Sequence, residues 1–174
     1  MAQNFIDLSH TIESGMITYK GLPAPLICDY LSRERSRELY EPGTEFQIGR
    51  IDMVANTGTY LDCPFHRYAD GDDLSALMLD RCADLAGLVV EADHQTTKAI
   101  GPDFFERRDV AGKAILVHTG WSKHWRTDSY FEDHPFLTEE AAVYLRDHDA
   151  VLVGIDSHNI DNTRGRSRPF TRCC

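Results

Sequence analysis

Asn56, Tyr60, Asp62 and His66 crowd one short stretch, Asn56-Thr57-Gly58-Thr59-Tyr60-Leu61-Asp62-Cys63-Pro64-Phe65-His66-Arg67-Tyr68. A histidine near a carboxylate can carry a proton at neutral pH, because imidazole titrates there and the acid orients it. The amide and phenol beside them can hydrogen-bond a carbonyl. Gly58 lets backbone approach a ligand closely, and Pro64 stiffens the turn that presents His66. Phe65 and Tyr68 flank the histidine and suit either the walls of an aromatic pocket or ordinary packing. On residue types alone two readings stand together: an acid–base pair that does chemistry, and a polar turn whose Asp62 and His66 merely satisfy one another.

The elements that must position this stretch follow from apolar runs and punctuation. Asn4 to Thr11 reads as a strand or an extended arm. Gly15, Gly21, Pro23 and Pro25 mark a loop before a strand near Leu26 to Tyr30. Ser32 to Tyr40 is charged, a solvated loop or a weak helix. Phe46, Ile48 and Ile51 to Val54 begin another strand region, and the polar stretch starts where it ends. Leu88 to Ala92, Ala114 to His118 and Ala150 to Ile155 are continuous apolar runs that suit strands covered on both faces. Thr138 can cap a helix running to about Asp147, with Glu139 and Glu140 in its first turn. Pro102 to Arg107 and Asp80 to Leu85 are shorter helix candidates. Strand and helix alternate in the second half, so the expected class is α/β with a mixed sheet.

Composition narrows the function. The 174 residues fit one domain over 1–174, with an N-terminal strand or arm at about 1–14. Lys plus Arg total 18 against 28 Asp plus Glu, a formal net charge of -10. Nucleic acid and anionic membrane both need a positive surface, so neither is an expected partner. No apolar run approaches the roughly 18 residues of a membrane helix, and the first residues lack a basic start and an apolar stretch. Cys28, Cys63, Cys82, Cys173 and Cys174 form no C-x-x-C pair, which predicts reduced thiols and a cytoplasmic location. The first three are expected to be small buried hydrophobes, and the terminal pair an exposed liability.

The remaining histidines carry less. His158 follows Asp156 and Ser157 at a strand end, where α/β proteins often place site residues, and it either lines the pocket or sits in a surface loop. His10 belongs to the N-terminal segment, His94 reads as a solvated loop residue, and His118, His124, His134 and His148 have no convincing partner spacing. Trp121 and Trp125, four apart, could share a short helix face in a core or interface. Arg164, Arg166 and Arg168 form a basic run, most simply solvated, although one could meet a substrate carboxylate.

The stretch resembles the signature H-x-G-T-H-x-D-x-P-x-H of the cyclase and kynurenine formamidase-like metal-dependent hydrolases. Gly58, Thr59, Asp62, Pro64 and His66 match it, while Asn56 and Tyr60 stand where that family has its first two histidines. Asp7-Leu8-Ser9 is similar to the family's N-terminal D-L-S segment, Thr119-Gly120-Trp121 to its T-G-W segment, and Val153-Gly154-Ile155-Asp156 to its V-G-I-D segment. The resemblance spans nearly the whole chain. It implies a swivelling β/β/α fold, a mixed sheet curved towards a barrel with peripheral helices. It also implies hydrolysis of a small amide, ester or lactone, and a homodimer or higher homo-oligomer with exchanged arms or loops.

In metal-binding members the first two histidines and the aspartate hold a divalent ion, zinc or manganese, and the last histidine moves protons. Carried over, Asp62 keeps the ligand type and His66 the acid–base role. An amide and a phenol replace two imidazoles poorly at zinc, so no tight metal is expected, only weak binding at Asp62 and His66. Asn56 and Tyr60 are then expected to orient a substrate carbonyl, with Phe65 and His158 as further substrate contacts. Family members continue past the R-x-R-P segment with V-H-T-x-L-L, whereas this chain reads Arg168-Pro169-Phe170-Thr171-Arg172-Cys173-Cys174. Deleting one base from codons chosen for Pro-Val-His-Thr-Leu-Leu yields Pro-Phe-Thr-Arg-Cys-Cys, so two expectations stand, a frameshift-truncated C-terminus and a naturally divergent short tail, to be separated by sequencing the gene. The competing reading is a non-catalytic member of the fold, a small-molecule binder or an oligomer subunit.

Overall fold

The computed structural model describes residues 6–173. Along the chain run β1 (Leu26–Leu31), α1 (Arg33–Leu39), β2 (Ile48–Asp52), β3 (Gly87–Glu91), β4 (Ala99–Ile100), β5 (Ala114–His118), β6 (Phe136–Leu137), α2 (Glu139–Asp147), β7 (Leu152–Ile155) and α3 (Pro169–Cys173). Single 3₁₀ turns stand at Pro64–His66, Leu79–Arg81, Pro102–Phe104, Trp121–His124 and Asp128–Phe131. The α/β class holds, with an antiparallel pair β1–β2, a parallel sheet ordered β3–β5–β7 and a two-residue parallel pair β4–β6. The chain divides into two compact units, Met1–Leu61 and Asp62–Cys174.

In the first unit, β1 and β2 pair with Leu26 opposite Asp52, and the register slips between Asp29 and Leu31. The loop before β1 closes on its start, because Gly15 N donates to Pro25 O at 2.8 Å and Ile27 N to Ser14 Oγ at 3.1 Å. The charged segment after β1 is a helix: Ser32 caps α1 by accepting from Arg35 N, and the buried Ser36 hydroxyl donates to Arg33 O and accepts from Phe46 N. Asn4 and Phe5 of the expected N-terminal strand lie outside the described residues. Residues 6–13 form neither helix nor strand, so the strand alternative falls for that part.

The second unit holds the core. Val90, Ile100, Phe105, Ile115, Val117, Leu137, Ala141, Ala142, Leu145 and Phe170 pack there, each at most 3% exposed. Central β5 is fully covered on the face of Ile115 and Val117, but on its other face Leu116 is half-buried and His118 exposed, so cover on both faces is met only in part. The face that Val89 shares with Leu116 and Gly154 is incompletely covered: Val89 is 54% exposed and Leu116 half-buried. Thr138 Oγ1 accepts from Ala141 N and starts α2, which ends at Asp147 as expected. The candidates at Pro102 and Asp80 shrink to 3₁₀ turns. Trp121 is buried with its indole N–H donated to Tyr130 O at 3.0 Å, whereas Trp125 stands at the end of the turn and meets the Tyr130 ring, so the two share no helix face. The cysteine expectation also fails: Cys28 is exposed, and Cys63 and Cys82 are half-buried free thiols.

Candidate functional site

In the first unit the chain leaves β2 through a tight turn. Thr57 is buried, its hydroxyl donating to Val54 O at 2.6 Å and its amide to Ala55 O at 2.9 Å. Gly58 follows with φ +67, and a Cβ there would lie 2.9 Å from Ile12 Cγ1, so both conformation and space demand glycine. His10 N donates to Thr59 Oγ1 at 3.3 Å. The segment around Leu8-Ser9-His10 is thereby laid along Thr57–Thr59, which links two of the sequence motifs physically. Asn56 is half-buried and Tyr60 is 43% exposed.

The second unit begins at Asp62 and presents His66. Cys63 is extended, Pro64 opens the 3₁₀ turn, and His66 N donates to Cys63 O at 2.9 Å. A small loop then closes, with Tyr68 N bonded to Pro64 O at 2.9 Å, Gly71 N to Tyr68 O at 3.0 Å and Phe65 N to Asp72 O at 3.0 Å. The Tyr68 hydroxyl donates to Arg172 O. His66 Nδ1 lies 3.4 Å from Asp62 Oδ1, and both side chains remain reachable by solvent at 45% and 36% exposure. At this distance a carboxylate and an imidazole are close enough to act on one proton together. Such a length is common for catalytic contacts before substrate binds. Phe65 is exposed beside it.

Gly71 sets the shape of this loop. A Cβ on Gly71 would stand 2.7 Å from the Pro64 carbonyl carbon, which is backbone and cannot yield cheaply. Gly71→Ala is expected to displace the turn under His66, destabilise the protein by about 1–3 kcal/mol and lower activity with it. Thermal melting and turnover on one preparation check this.

His158 stands half-buried after β7, its ring 5.2–5.5 Å from those of Tyr130, Phe131 and His134 in edge-on contacts. Sequence reasoning missed what holds this end of the sheet. Asp156 accepts from Thr119 N at 2.7 Å, Thr119 Oγ1 at 2.6 Å and Gly120 N at 2.9 Å. The V-G-I-D and T-G-W motifs are thus two halves of one contact, and their shared position at strand ends was the signal. His94 is not a solvated loop residue: it is mostly covered, Nδ1 bonding to Thr119 O at 2.7 Å beside the Trp121 and His124 rings. His134, without a recognisable partner in sequence, is buried, with Nδ1 donating to Pro135 O and Nε2 accepting from Thr163 Oγ1, each at 2.9 Å. Burial holds its imidazole below the ordinary histidine value against the Pro135 bond, and Arg164 and Arg168 push the same way. Arg168 is no solvated tail residue either, since its Nη1 donates to the carbonyls of Asn162, Gly165 and Ser167.

As metal ligands, the side chains at the motif positions fit badly. Asn56 and Tyr60 supply a neutral amide and a phenol where zinc prefers imidazole or thiolate. Among the described residues, no group of three or more His, Cys, Asp or Glu is placed to hold an ion.

The α/β scaffold thus carries a carboxylate and an imidazole close together on a proline turn. The profile of the Cyclase family matches residues 6–162, and the chain belongs to that family. Kynurenine formamidase of Geobacillus thermodenitrificans is 26% identical over 171 residues, covering 97% of this chain and 76% of that protein. A solved structure described as a potential metal-dependent hydrolase with cyclase activity superposes with a TM-score of 0.69 at 26% identity, covering 97% of this chain and 74% of the other. Isatin hydrolase A from Ralstonia solanacearum shares the fold, with a TM-score of 0.67 at 19% identity over 95% of this chain and 73% of that one. The chain is a cyclase-family hydrolase. Among the described residues, no helix is long and apolar enough to cross a membrane.

Proposed function

We propose that this hydrolase cleaves a small amide, with esters and lactones as related substrates, and that residues 1–174 act as one cyclase-like domain. The observation that carries this reading is the Asp62–His66 pair on its proline turn, 3.4 Å apart and open to solvent. His66 Nε2 removes a proton from water as the oxygen attacks the carbonyl carbon. The same imidazole returns the proton to the leaving nitrogen as the C–N bond breaks, giving a carboxylic acid and an amine. Asp62 holds the imidazole in the tautomer that makes this possible. Asn56 and Tyr60 supply hydrogen bonds for the substrate carbonyl, and Phe65 and His158 contact the rest of the substrate. The kynurenine formamidase relative supports a formamide as the substrate class.

The metal site of the family is degenerate in this reading, leaving at most weak binding at Asp62 and His66. Dialysis against a chelator is expected to leave less than stoichiometric zinc and to leave hydrolysis of an N-formylaniline unchanged. Retained stoichiometric zinc, or activity that vanishes with the chelator and returns with the ion, would overturn the metal assignment. A folded protein that hydrolyses no formamide, ester or lactone overturns the enzyme reading itself.

The protein is also proposed to be a cytoplasmic homo-oligomer. The free thiols support the compartment. Assembly is supported by β1 and β2, which expose apolar side chains such as Tyr30 at 76% and Ile51 at 66%, beside Ile6 at 79% and Leu8 at 72%. A bare two-stranded ribbon is marginal in water and gains from cover. Light scattering at micromolar concentration should show a dimer or larger; a monomer alone contradicts it.

A further inference from the structure

Lys98, Asp133, His134, Thr163 and Arg164 border a hollow of about 210 Å³ in the second unit. Two cations there share one carboxylate. Lys98 Nζ pairs with Asp133 Oδ2, and Arg164 Nη2 meets Asp133 Oδ1 at 2.7 Å. One carboxylate neutralises one of the two charges, so the lining keeps a positive excess in a chain whose formal net charge is -10.

The surrounding backbone holds this arrangement in place. Asp133 has φ +53, in the left-handed region that aspartate adopts more readily than most residues with a Cβ. Arg164 sits in a loop pinned from below: its N–H donates to Asn162 Oδ1 at 3.0 Å, and the Arg168 guanidinium gathers three loop carbonyls at 2.8–3.2 Å. The Lys98 carbonyl accepts from Phe136 N at 2.8 Å beside the β4–β6 pair, which places its backbone, while the Lys98 and Arg164 side chains reach solvent at 44% and 72% exposure. The floor is the buried neutral His134 with the Thr163 hydroxyl donated to it. It adds no charge and leaves the two cations to decide what binds. Ala99 and Phe136 give one wall apolar surface.

We propose that this hollow binds small carboxylate anions, the guanidinium of Arg164 and the ammonium of Lys98 donating to the two oxygens and the organic tail lying against Phe136. A guanidinium fork matches a planar carboxylate. Cleavage of an amide or ester releases a carboxylic acid, so this ligand class is one that the proposed reaction generates; the binding claim stands on the hollow and not on that reaction.

The test titrates the folded protein with acetate and with benzoate by ligand-observed NMR, at ionic strength held constant with chloride because exposed charges are screened by salt. One saturable site is expected. Lys98→Met and Arg164→Met should each weaken it roughly tenfold or more, as loss of a charged hydrogen bond does. Lys113→Met, whose ammonium pairs with Asp109 elsewhere, should leave it unchanged. Arg164→Lys, which keeps the charge and loses the fork, should fall between and guards against misfolding of the methionine variants, with melting curves recorded for all. Absence of saturable binding, equal binding in every variant, or displacement of acetate by an equal concentration of inorganic phosphate overturns the carboxylate assignment.

Discussion

His66→Ala is expected to lose roughly a hundredfold or more in turnover while melting at nearly the parent temperature. The side chain is 45% exposed and its recorded contact is the 3.4 Å pair with Asp62, so little packing leaves with it. The proton carrier leaves entirely. Asp62→Asn should cost less, since an amide still reaches Nδ1 but no longer stabilises the imidazolium. If the pair were only a structural clasp, the pattern would invert, with a lower melting temperature and turnover intact. Full activity in folded His66→Ala would remove the proton carrier from the mechanism and return the search to other residues of the second unit.

Asp156→Ala should cost roughly 3 kcal/mol or more of stability. Three donors converge on that carboxylate at 2.6–2.9 Å, and two of them belong to Thr119, which is 2% exposed. Truncation strands the Thr119 and Gly120 amides where water reaches them poorly. Asp156→Asn should lose about half as much, because its oxygen can keep the Thr119 bonds while its NH₂ opposes the Gly120 N–H. Urea unfolding with an unchanged slope reads the difference directly. A loss below about 1 kcal/mol for the alanine variant would show that the loop finds other partners.

What the sequence disclosed, and what it hid, follows the range of each interaction. The start of α2 was readable because Thr138 and Ala141 are neighbours along the chain, and β5 because Ala114 to His118 is one uninterrupted apolar run. The Pro64 turn and the closeness of Asp62 to His66 were readable for the same reason. Val89 betrayed the pattern: an apolar residue on the less covered face of a sheet looks identical in sequence to one on the buried face. His134 and Thr163 are 29 positions apart, and His94 and Thr119 are 25, so no local spacing announces either contact. Asp161 is fully buried and accepts from Phe170 N at 2.7 Å and Thr171 N at 3.2 Å, capping α3 from a distance that no helix-start pattern includes. Asn56 and Tyr60 carry their meaning only through comparison with the family motif.

The β3–β5–β7 order has a consequence for how the chain reaches this state. In a parallel sheet no two neighbours can be joined by a tight hairpin, so each pairing waits for a long crossover to be closed. The β5–β7 pairing must wait for the whole of α2 to be made and laid down, since that helix lies between the two strands in sequence. During synthesis, Ala114 to His118 emerges after β3 but before β7, so one edge of its aliphatic run stays bare until Leu152 to Ile155 has been made. Topologies of this kind assemble slowly and pass through sticky intermediates. Yield of this protein should therefore respond to temperature and chaperone supply during expression more than the finished fold's stability would suggest.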